Sequence, residues 1–202
     1  MKFRLLDTFC KAGGAGMGYH RAGFEVVGVD IEEQKNYPFE FHQADAIEFI
    51  REHGHKFDAI HASPPCQRYS SMANIHQNSD THPDLIAPTR EVLEKSGKLY
   101  VIENVEGAPL RIDLMLCGTM FGLRIRHHRI FESSILMPIL TPACNHVDLY
   151  DRFHGGEMAR NERVKMSAVM GIDWFMTREE VRNAIPSAYT EFIGKQLIKE
   201  LS

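Results

Sequence analysis

The amino-acid sequence predicts an α/β protein with a mostly parallel β-sheet, and three observations support this prediction. Short apolar runs recur along the first half of the chain, and most end in a polar or acidic residue. Helix-length segments separate these runs, and the first connection contains the glycine-rich stretch KAGGAGMG (11–18). Strands that alternate with helices form parallel sheets, because each helix carries the chain back over the sheet before the next strand begins.

The predicted elements follow one another in order. Strands are expected at 3–7, 25–30, 39–45, from 57 into a loop around Cys66, 98–105 and 128–134. Helices are expected after the glycine-rich stretch, at 46–54, at 84–95 with a break at Pro88, and near the C-terminus. The C-terminal segment places these side chains on one helical face: Tyr189, Phe192, Ile193, Gln196, Leu197 and Leu201.

The periodicity becomes weaker after residue 110. Residues 138–173 contain prolines, glycines, histidines and charged residues without a clear period, which predicts a short loop-rich insert. We therefore expect a main α/β unit at 1–137, an insert at 138–173, and a segment at 174–202 that returns to the main unit.

Composition and charge exclude several classes of protein. A net charge of −4 excludes a protein that coats nucleic acid through bulk positive charge. No apolar run reaches the roughly 18 residues of a membrane span, and the N-terminus does not resemble a signal peptide, so we expect a cytoplasmic protein. We also expect a monomer. The four cysteines show no paired spacing, which favours free thiols. Cys144 and His146, with His154 nearby, could ligate a metal, but we expect no metal site.

Residues that carry chemistry follow the predicted strands at one edge of the sheet, where open α/β sheets bind ligands. They are Asp7, Asp30, Asp45, Cys66 and Glu103. Asp30 is placed to accept hydrogen bonds from ribose hydroxyls, and Asp45 to bind an adenine amino group. The glycine-rich stretch lacks the GxGxxG pattern and a basic residue for a diphosphate, which favours an adenosyl cofactor without phosphates. The alternative is a tight turn flanked by two solvated acids.

Cys66 lies directly after Pro64 and Pro65, and polar residues follow it. A rigid backbone before a thiol among polar residues is typical of a nucleophile, although a structural thiol is the alternative. Glu103 ends an apolar strand, where burial would raise the pKa of its carboxyl and let it donate a proton. A thiolate that adds to carbon 6 of a pyrimidine, with protonation at N3, makes carbon 5 able to accept an alkyl group.

The stretch RIRHHRIF (124–131) is the most basic part of the chain. It is a candidate for local contact with nucleic acid, and Arg124 and Arg126 are expected to contact phosphates. The alternative is an exposed basic loop.

The segments DTFCKAGGAGMGYHRAGF, VVGVDIE, ASPPCQRYS, VIENV and RHHRIFE resemble, in this order, the motifs of the cytosine-C5 DNA methyltransferases. The ending IPSAYTEFIGKQL is similar to the last cofactor-pocket motif of that family. The resemblance covers residues 3–134 and 184–201 and is greatest to small phage-encoded members, which act in a bacterial host. It implies a Rossmann-like S-adenosylmethionine-dependent methyltransferase fold. It also implies methyl transfer to carbon 5 of a flipped-out cytosine in double-stranded DNA through a covalent cysteine adduct.

The resemblance implies roles for individual residues as well. Cys66 would be the nucleophile, Glu103 would hold N3 and the amino group of the cytosine, and Arg129 would contact its O2 atom. Gln67 and Ser70 would lie on a loop that closes over DNA, and Asn104 would orient the cysteine loop. The residues expected at the S-adenosylmethionine pocket are Phe9, Lys11, Gly13, Gly14, Asp30, Ile31, Asp45 and Pro65.

Three features depart from the family pattern. The usual glutamine–any–arginine–any–arginine motif becomes Ile125–Arg129 and keeps only its last arginine, and the target-recognition region shrinks to residues 138–173, which predicts short or loose specificity. Lys11 replaces a glycine near the cofactor, and three alternatives are open. Its side chain turns to solvent, or it binds the carboxylate of S-adenosylmethionine or of a carboxylated form, or it blocks the pocket of an inactive DNA-binding protein.

Other classes of protein explain fewer of these features. A thymidylate-synthase-like enzyme also has a cysteine behind prolines, but it lacks the adenosyl-binding glycine loop. A general nucleotide-binding module explains the glycines but not Cys66 and Glu103 together. RNA is the substrate of one branch of the methyltransferase family, whose cysteine loop the sequence does not resemble.

Overall fold

The computed structural model describes residues 2–65, 84–147, 149 and 160–202, and gives only the backbone of 160–162. Cys66, Gln67, Ser70 and His154 lie outside the described residues. Predictions for these four side chains therefore stay predictions.

One seven-stranded sheet organises the chain, with the strand order β3-β2-β1-β4-β5-β7-β6. Strands β1 to β5 are parallel, whereas β7 runs antiparallel to β5 and to β6. The mostly parallel α/β sheet expected from the sequence is therefore confirmed. The strands are β1 Arg4–Thr8, β2 Glu25–Asp30, β3 Glu40–Gln43, β4 Ala59–Ala62, β5 Leu99–Asn104, β6 Leu114–Leu116 and β7 Arg129–Ser133.

Six α-helices are present in the described part of the chain. They are α1 Gly14–Ala22, α2 Ala46–His53, α3 Ile86–Ser96, α4 Arg160–Val169, α5 Arg178–Asn183 and α6 Ser187–Leu201. Short 3-10 turns cover Gly54–Lys56 and Gly118–Phe121. None of these helices is both long and apolar enough to span a lipid bilayer.

Pro88 does not break its helix, contrary to the prediction. It is the third residue of α3, within the first turn. Amide groups in that turn have no carbonyl partner inside the helix, so a residue without an N–H is tolerated there.

The sequence analysis did not predict β6, α4 or α5. Helix α4 lies in the segment expected to be rich in loops, and its Met166, together with the following Met170, is buried. Both methionines belong to a small apolar cluster that includes Ala12 of the glycine-rich stretch. This part of the predicted insert therefore packs against the main unit.

Helices α1 and α6 cover one face of the sheet and pack closely against each other. A Cβ atom at Gly18 would overlap the carbonyl oxygen of Ser187, and one at Gly194 would lie 2.7 Å from the Cβ of Ala22. The Thr190 hydroxyl donates a hydrogen bond to the carbonyl oxygen of Ala15 across the same contact, at 2.8 Å. The predicted C-terminal helix is thus held against the glycine-rich stretch.

Candidate functional site

The candidate site lies at the carboxyl edge of the sheet, where β1 and β4 are neighbours. The chain leaves β1 toward β2 on one side and leaves β4 toward β5 on the other, so the strand order reverses between them. Such a reversal opens a crevice at the carboxyl ends of the two strands, which is where α/β proteins bind ligands. The glycine-rich stretch follows β1, and the segment that leads to Cys66 follows β4.

The loop after β1 has an unusual backbone. Phe9 and Lys11 have φ angles of 55° and 43°, and Gly13 has a φ of 85°. These angles lie in the left-handed region, which is costly for residues with a side chain and is found most often at functional sites. A Cβ atom at Gly14 would lie 2.6 Å from the carbonyl oxygen of Ile185, so only glycine fits between the loop and the segment before α6.

Asp30 ends β2 and faces this loop. Its carboxylate accepts hydrogen bonds from the backbone N–H of Lys11 and from that of Glu32, both at 3.1 Å. Each oxygen keeps a second lone pair, so the carboxylate can still accept a hydroxyl group. The next residue, Ile31, is 67% exposed and offers an apolar surface beside Asp30.

Lys11 turns toward acidic side chains of the protein itself. Its ammonium group lies 3.1 Å from Glu32 Oε2 and 3.7 Å from Asp30 Oδ1, and its side chain is 54% exposed. Partial burial lowers the pKa of Lys11, but the two carboxylates outweigh this effect and raise it. A side chain that is exposed and paired in this way gives no support to the blocked-pocket alternative.

Asp45 has a local structural role. Its Oδ1 atom accepts hydrogen bonds from the backbone N–H groups of Ile47 and Glu48, at 2.9 and 3.0 Å, and so caps the N-terminus of α2. A role for Asp45 in binding adenine stays a prediction.

A buried ion pair lies at the other side of the crevice. Arg129 Nε is 2.9 Å from Glu103 Oε1, and the two side chains are only 19% and 7% exposed. In the β5–β7 pair, Glu103 lies opposite Phe131. Arg129 comes two residues before Phe131, and residues two apart on a strand share a face. The side chains of Glu103 and Arg129 therefore project from the same face of the sheet. Burial raises the pKa of Glu103, while Arg129 and the Ser63 hydroxyl partly offset this increase.

A chain of buried hydrogen bonds leads to Glu103 from the core. The Tyr19 hydroxyl lies 2.9 Å from Nδ1 of His61, and Nε2 of His61 lies 2.8 Å from the Ser63 hydroxyl. Burial raises the pKa of Tyr19 well above its usual value and lowers that of His61 to about 3, so the phenol stays protonated and the imidazole stays neutral. With Glu103 ionised in its pair with Arg129, the Ser63 hydroxyl donates to the carboxylate and accepts from Nε2 of His61. The neutral His61 then accepts from Tyr19 at Nδ1. The sequence analysis missed His61, although a histidine within the apolar run AIHA was a signal for a buried polar role.

Asn104 holds the segment that leads to the predicted nucleophile. Its Nδ2 atom donates to the carbonyl oxygen of Pro64 at 3.0 Å, and Pro65 is half-buried next to it. Cys66 itself lies outside the described residues. Burial raises the pKa of Cys10, in the loop after β1, so this thiol is protonated and is a poor alternative nucleophile.

The basic stretch before β7 alternates between buried and exposed side chains. Arg124 and Arg126 are exposed, whereas Ile125 and His127 are buried. Ile125 therefore fills a core position where the family pattern has a polar glutamine. The structure brings the candidate residues Phe9, Lys11, Gly13, Gly14, Asp30, Pro65, Glu103 and Arg129 to one edge of the sheet.

The expectation that no metal site is present came from the separation of the cysteines in the sequence. Folding brings Cys117, His128, Cys144 and His146 together, and one ligand atom from each lies within 4.8 Å of all the others. Sequence separation is therefore no argument against a metal site in this chain. The nearby residues Cys144 and His146 indicated a possible metal site in the sequence. Their partners Cys117 and His128 come from distant segments of the chain, so they could not be identified in this way.

Asp7 is a buried acid at the end of β1. It is 1% exposed, and its Oδ2 atom accepts a hydrogen bond from the Tyr37 hydroxyl at 3.0 Å. Burial raises the pKa of Asp7 to about 8, although the hydrogen bonds from Tyr37 and from the backbone of Gly16 oppose the increase. The side chain is therefore largely protonated at neutral pH.

Asp7 makes the stability of the protein fall as the pH rises. An acid with a higher pKa in the folded state binds more protons when folded, so the free energy of unfolding decreases between the unfolded and folded pKa values, here from pH 4 to about pH 8. We expect Asp7→Asn to gain stability relative to the wild-type protein as the pH increases from 5 to 8, measured by urea denaturation.

Asp113→Asn is the matched control for this experiment. Its hydrogen bond from Arg111 lowers the pKa of Asp113, so this carboxylate is ionised in both states above pH 5. The stability difference between wild type and Asp113→Asn should not change over that interval. A difference for Asp7→Asn that is equally independent of pH would contradict a protonated Asp7.

Comparison with known proteins identifies the family. The model of the C-5 cytosine-specific DNA methylases matches residues 3–110. The type II methyltransferase M.FnuDI of Fusobacterium nucleatum is 30% identical over 112 residues, which are 52% of this chain and 33% of that protein. The type II methyltransferase M.AgeI of Thalassovita gelatinovora is 30% identical over 121 residues, which are 52% of this chain and 28% of that protein. The chain thus spans about a third of the length of these relatives.

Solved structures show the same fold. The Entamoeba histolytica methyltransferase EhMeth superimposes with a TM-score of 0.65 at 12% identity, over 100% of this chain and 99% of that chain. The Dnmt2 methyltransferase of S. pombe superimposes with a TM-score of 0.64 at 11% identity, over 100% of both chains. The expected Rossmann-like methyltransferase fold is confirmed. The family model matches more than half of the residues of this chain. The chain therefore belongs to the C-5 cytosine-specific DNA methylases.

Proposed function

We propose that the protein transfers a methyl group from S-adenosylmethionine to carbon 5 of cytosine in double-stranded DNA. The observation that carries this proposal is the buried Glu103–Arg129 pair, which lies beside the segment that leads to Cys66. A carboxyl that can keep a proton and a guanidinium that donates hydrogen bonds match N3 and O2 on one edge of cytosine. Membership of the family supports the choice of base and polymer.

The loop after β1 fits an adenosyl cofactor. Gly14 lets the loop pack directly against the backbone of Ile185, and its neighbour Gly13 has a backbone conformation that favours glycine. Asp30 keeps lone pairs for ribose hydroxyls, and Ile31 offers an exposed apolar side chain on which an adenine ring can pack. When bound, S-adenosylmethionine supplies an electrophilic methyl group. The predicted roles of Phe9, Lys11, Asp45 and Pro65 belong to the same pocket.

Chemistry in this proposal depends on three side chains. When the cytosine draws Arg129 to its O2 atom, the carboxylate of Glu103, whose pKa burial raises, takes up a proton from solvent. The Cys66 thiolate then adds to carbon 6 while Glu103 gives this proton to N3, which places electron density on carbon 5. Arg129 donates to the O2 atom and stabilises the charge that develops on the ring. After carbon 5 has taken the methyl group, it loses its proton to a base, and the thiolate leaves carbon 6 as N3 returns its proton to Glu103.

The ion pair keeps both groups ready before a base enters. A buried guanidinium or carboxylate without a partner is costly, and each satisfies the other in the absence of DNA. A cytosine must lie in the crevice to reach both side chains, which a stacked and paired base in a duplex cannot do. The proposal therefore includes extrusion of the target base.

Arg124 and Arg126 are proposed to contact DNA phosphates, because both are exposed on the stretch that leads into Arg129. Gln67 and Ser70, which follow Cys66 in the sequence, are also proposed to contact DNA. The reduced target-recognition region at 138–173 is proposed to give short or loose sequence specificity.

Removing the two exposed arginines should weaken DNA binding in a salt-dependent way. Each phosphate contact that is lost should reduce the slope of log affinity against log salt by about 0.9. We expect Arg124→Ala plus Arg126→Ala to reduce the slope by up to about twice this amount, measured by fluorescence anisotropy with duplex DNA. The control variant, Lys195→Ala plus Lys199→Ala on exposed positions of α6, should keep the wild-type slope. Equal slopes for both double variants would indicate that Arg124 and Arg126 lie on an exposed loop that does not contact DNA phosphates.

The activity is tested by trapping the covalent adduct. Duplex DNA that contains 5-fluorocytosine should form a denaturation-resistant complex with the wild-type protein in the presence of S-adenosylmethionine, because fluorine cannot leave carbon 5 as a proton does. Mass spectrometry of ordinary DNA should show 5-methylcytosine after the same incubation. Cys66→Ala should form neither product while it still binds the cofactor.

Three outcomes would be decisive against parts of this proposal. Trapping by Cys66→Ala would reject Cys66 as the nucleophile. DNA binding without methylcytosine would indicate a non-enzymatic DNA-binding protein. Methylation of RNA but not of DNA would reject the proposed substrate.

A further inference from the structure

Four potential metal ligands converge outside the crevice, and we call Cys117, His128, Cys144 and His146 the Cys–His cluster. His146 Nε2 lies 3.5 Å from Cys117 Sγ and 3.2 Å from His128 Nε2. Cys144 Sγ lies 3.9 Å from His128 Nε2. Cys117 is buried, His128 and Cys144 are half-buried, and His146 is exposed.

Two of these distances match the edges of a tetrahedron around one ion, and the Cys144–His128 distance of 3.9 Å is slightly longer. With Zn–N bonds of about 2.0–2.1 Å and Zn–S bonds of about 2.3 Å, tetrahedral geometry places two nitrogens about 3.3 Å apart and a nitrogen and a sulfur about 3.6 Å apart. The nitrogen–nitrogen distance of 3.2 Å and the shorter sulfur–nitrogen distance of 3.5 Å are close to these values. An arrangement of two thiols and two imidazoles at this spacing is typical of Zn²⁺.

Surrounding groups orient the ligands as a metal site requires. His128 Nδ1 lies 2.9 Å from Glu106 Oε2, so this nitrogen donates to the carboxylate and Nε2 presents its lone pair to the cluster. The Thr119 hydroxyl lies 3.5 Å from Cys117 Sγ and accepts a hydrogen bond from the backbone N–H of Asn145. Two thiolates and two neutral imidazoles would also balance the charge of a divalent cation.

Met137 is buried in the core, but the part of the segment after it, which contains Cys144 and His146, has few packing contacts to hold it in place. Residues 134–147 form no helix or strand. Several apolar side chains of the segment are exposed rather than packed: Leu136, Ile139, Leu140 and Val147. A chain without secondary structure or a core of its own needs some other contact to offset the entropy of ordering. Metal ligation would provide it.

We propose that the Cys–His cluster binds one Zn²⁺ ion and that this ion fixes the start of the predicted recognition insert to the catalytic sheet. Cys117 follows β6, His128 immediately precedes β7, and the other two ligands belong to the insert. With four protein ligands the ion has no open position, so its role is structural rather than catalytic. Through His128 it also anchors the residue next to Arg129.

The site is tested by metal content. Wild-type protein, dialysed without chelator, should contain one zinc ion per chain by inductively coupled plasma mass spectrometry. Cys144→Ser and His146→Ala should lose this zinc, whereas His55→Ala, which replaces an exposed histidine outside the cluster, should retain it. Cobalt-substituted wild-type protein should show the visible absorption of tetrahedral Co²⁺ and a thiolate-to-metal charge-transfer band, and Cys144→Ser should show a weaker charge-transfer band.

Removal of the ion should destabilise the fold locally. A chelator should lower the melting temperature of the wild-type protein and of His55→Ala, but not of the two ligand variants, because binding to the folded state alone adds stability. Folded wild-type protein without zinc, equal zinc content in all four proteins, or iron in place of zinc would overturn the proposal. None of these measurements depends on methyl transfer, so they can fail while the proposed function holds.

Discussion

The Glu103–Arg129 ion pair is the interaction on which the rest of the site depends. Both groups are largely withdrawn from water, and loss of one partner would leave the other as an uncompensated buried charge. The pair exists because β7 runs antiparallel to β5, which puts the first residue of β7 on the same face as the penultimate residue of β5. A parallel neighbour in this place would not bring the start of its strand to the carboxyl edge. The departure from an all-parallel sheet thus brings Arg129 to Glu103.

The ion pair is connected to both the core and the cysteine segment. Hydrogen bonds run from Tyr19 of α1 through His61 and Ser63 to Glu103, and all of them point toward the carboxylate. Asn104, the next residue after Glu103, holds the carbonyl of Pro64. Because α1 begins in the glycine-rich loop, one helix connects the proposed cofactor side of the crevice with the proposed base side. A change in the packing of α1 against α6 would therefore affect both sides.

Much of this arrangement could be predicted from the sequence, because it depends on local signals. Alternating apolar runs and helix-length segments indicate the parallel strands, and the acids at strand ends indicate the edge where they meet. Strand β6 and helix α5 are too short for a hydrophobic period to be recognised. In α4, charged residues precede Met166, so its apolar face is not evident from the sequence. Pro88 was misjudged because a proline in the first turn of a helix costs little.

Contacts between distant segments could not be predicted in this way. Lys11 contacts Glu32 and Asp30 only because β1 and β2 are neighbours in the sheet. Cys117 lies near Cys144 only because the segment after β7 passes close to the end of β6. Spacing along the chain carries no information about either contact. The same holds for His61, whose partners come from α1 and from the end of its own strand.

A double-mutant cycle in the rate of methyl transfer tests the central claim most directly. Single-turnover rates would be measured for wild type, Glu103→Gln, Arg129→Ala and the double variant, with cofactor and DNA at saturation. If the two side chains act as one unit on the same base, each single change should slow transfer by about 10²-fold or more. The double variant should then be little slower than the slower single variant. Losses that multiply, or single variants that transfer at the wild-type rate, would contradict this account of the site.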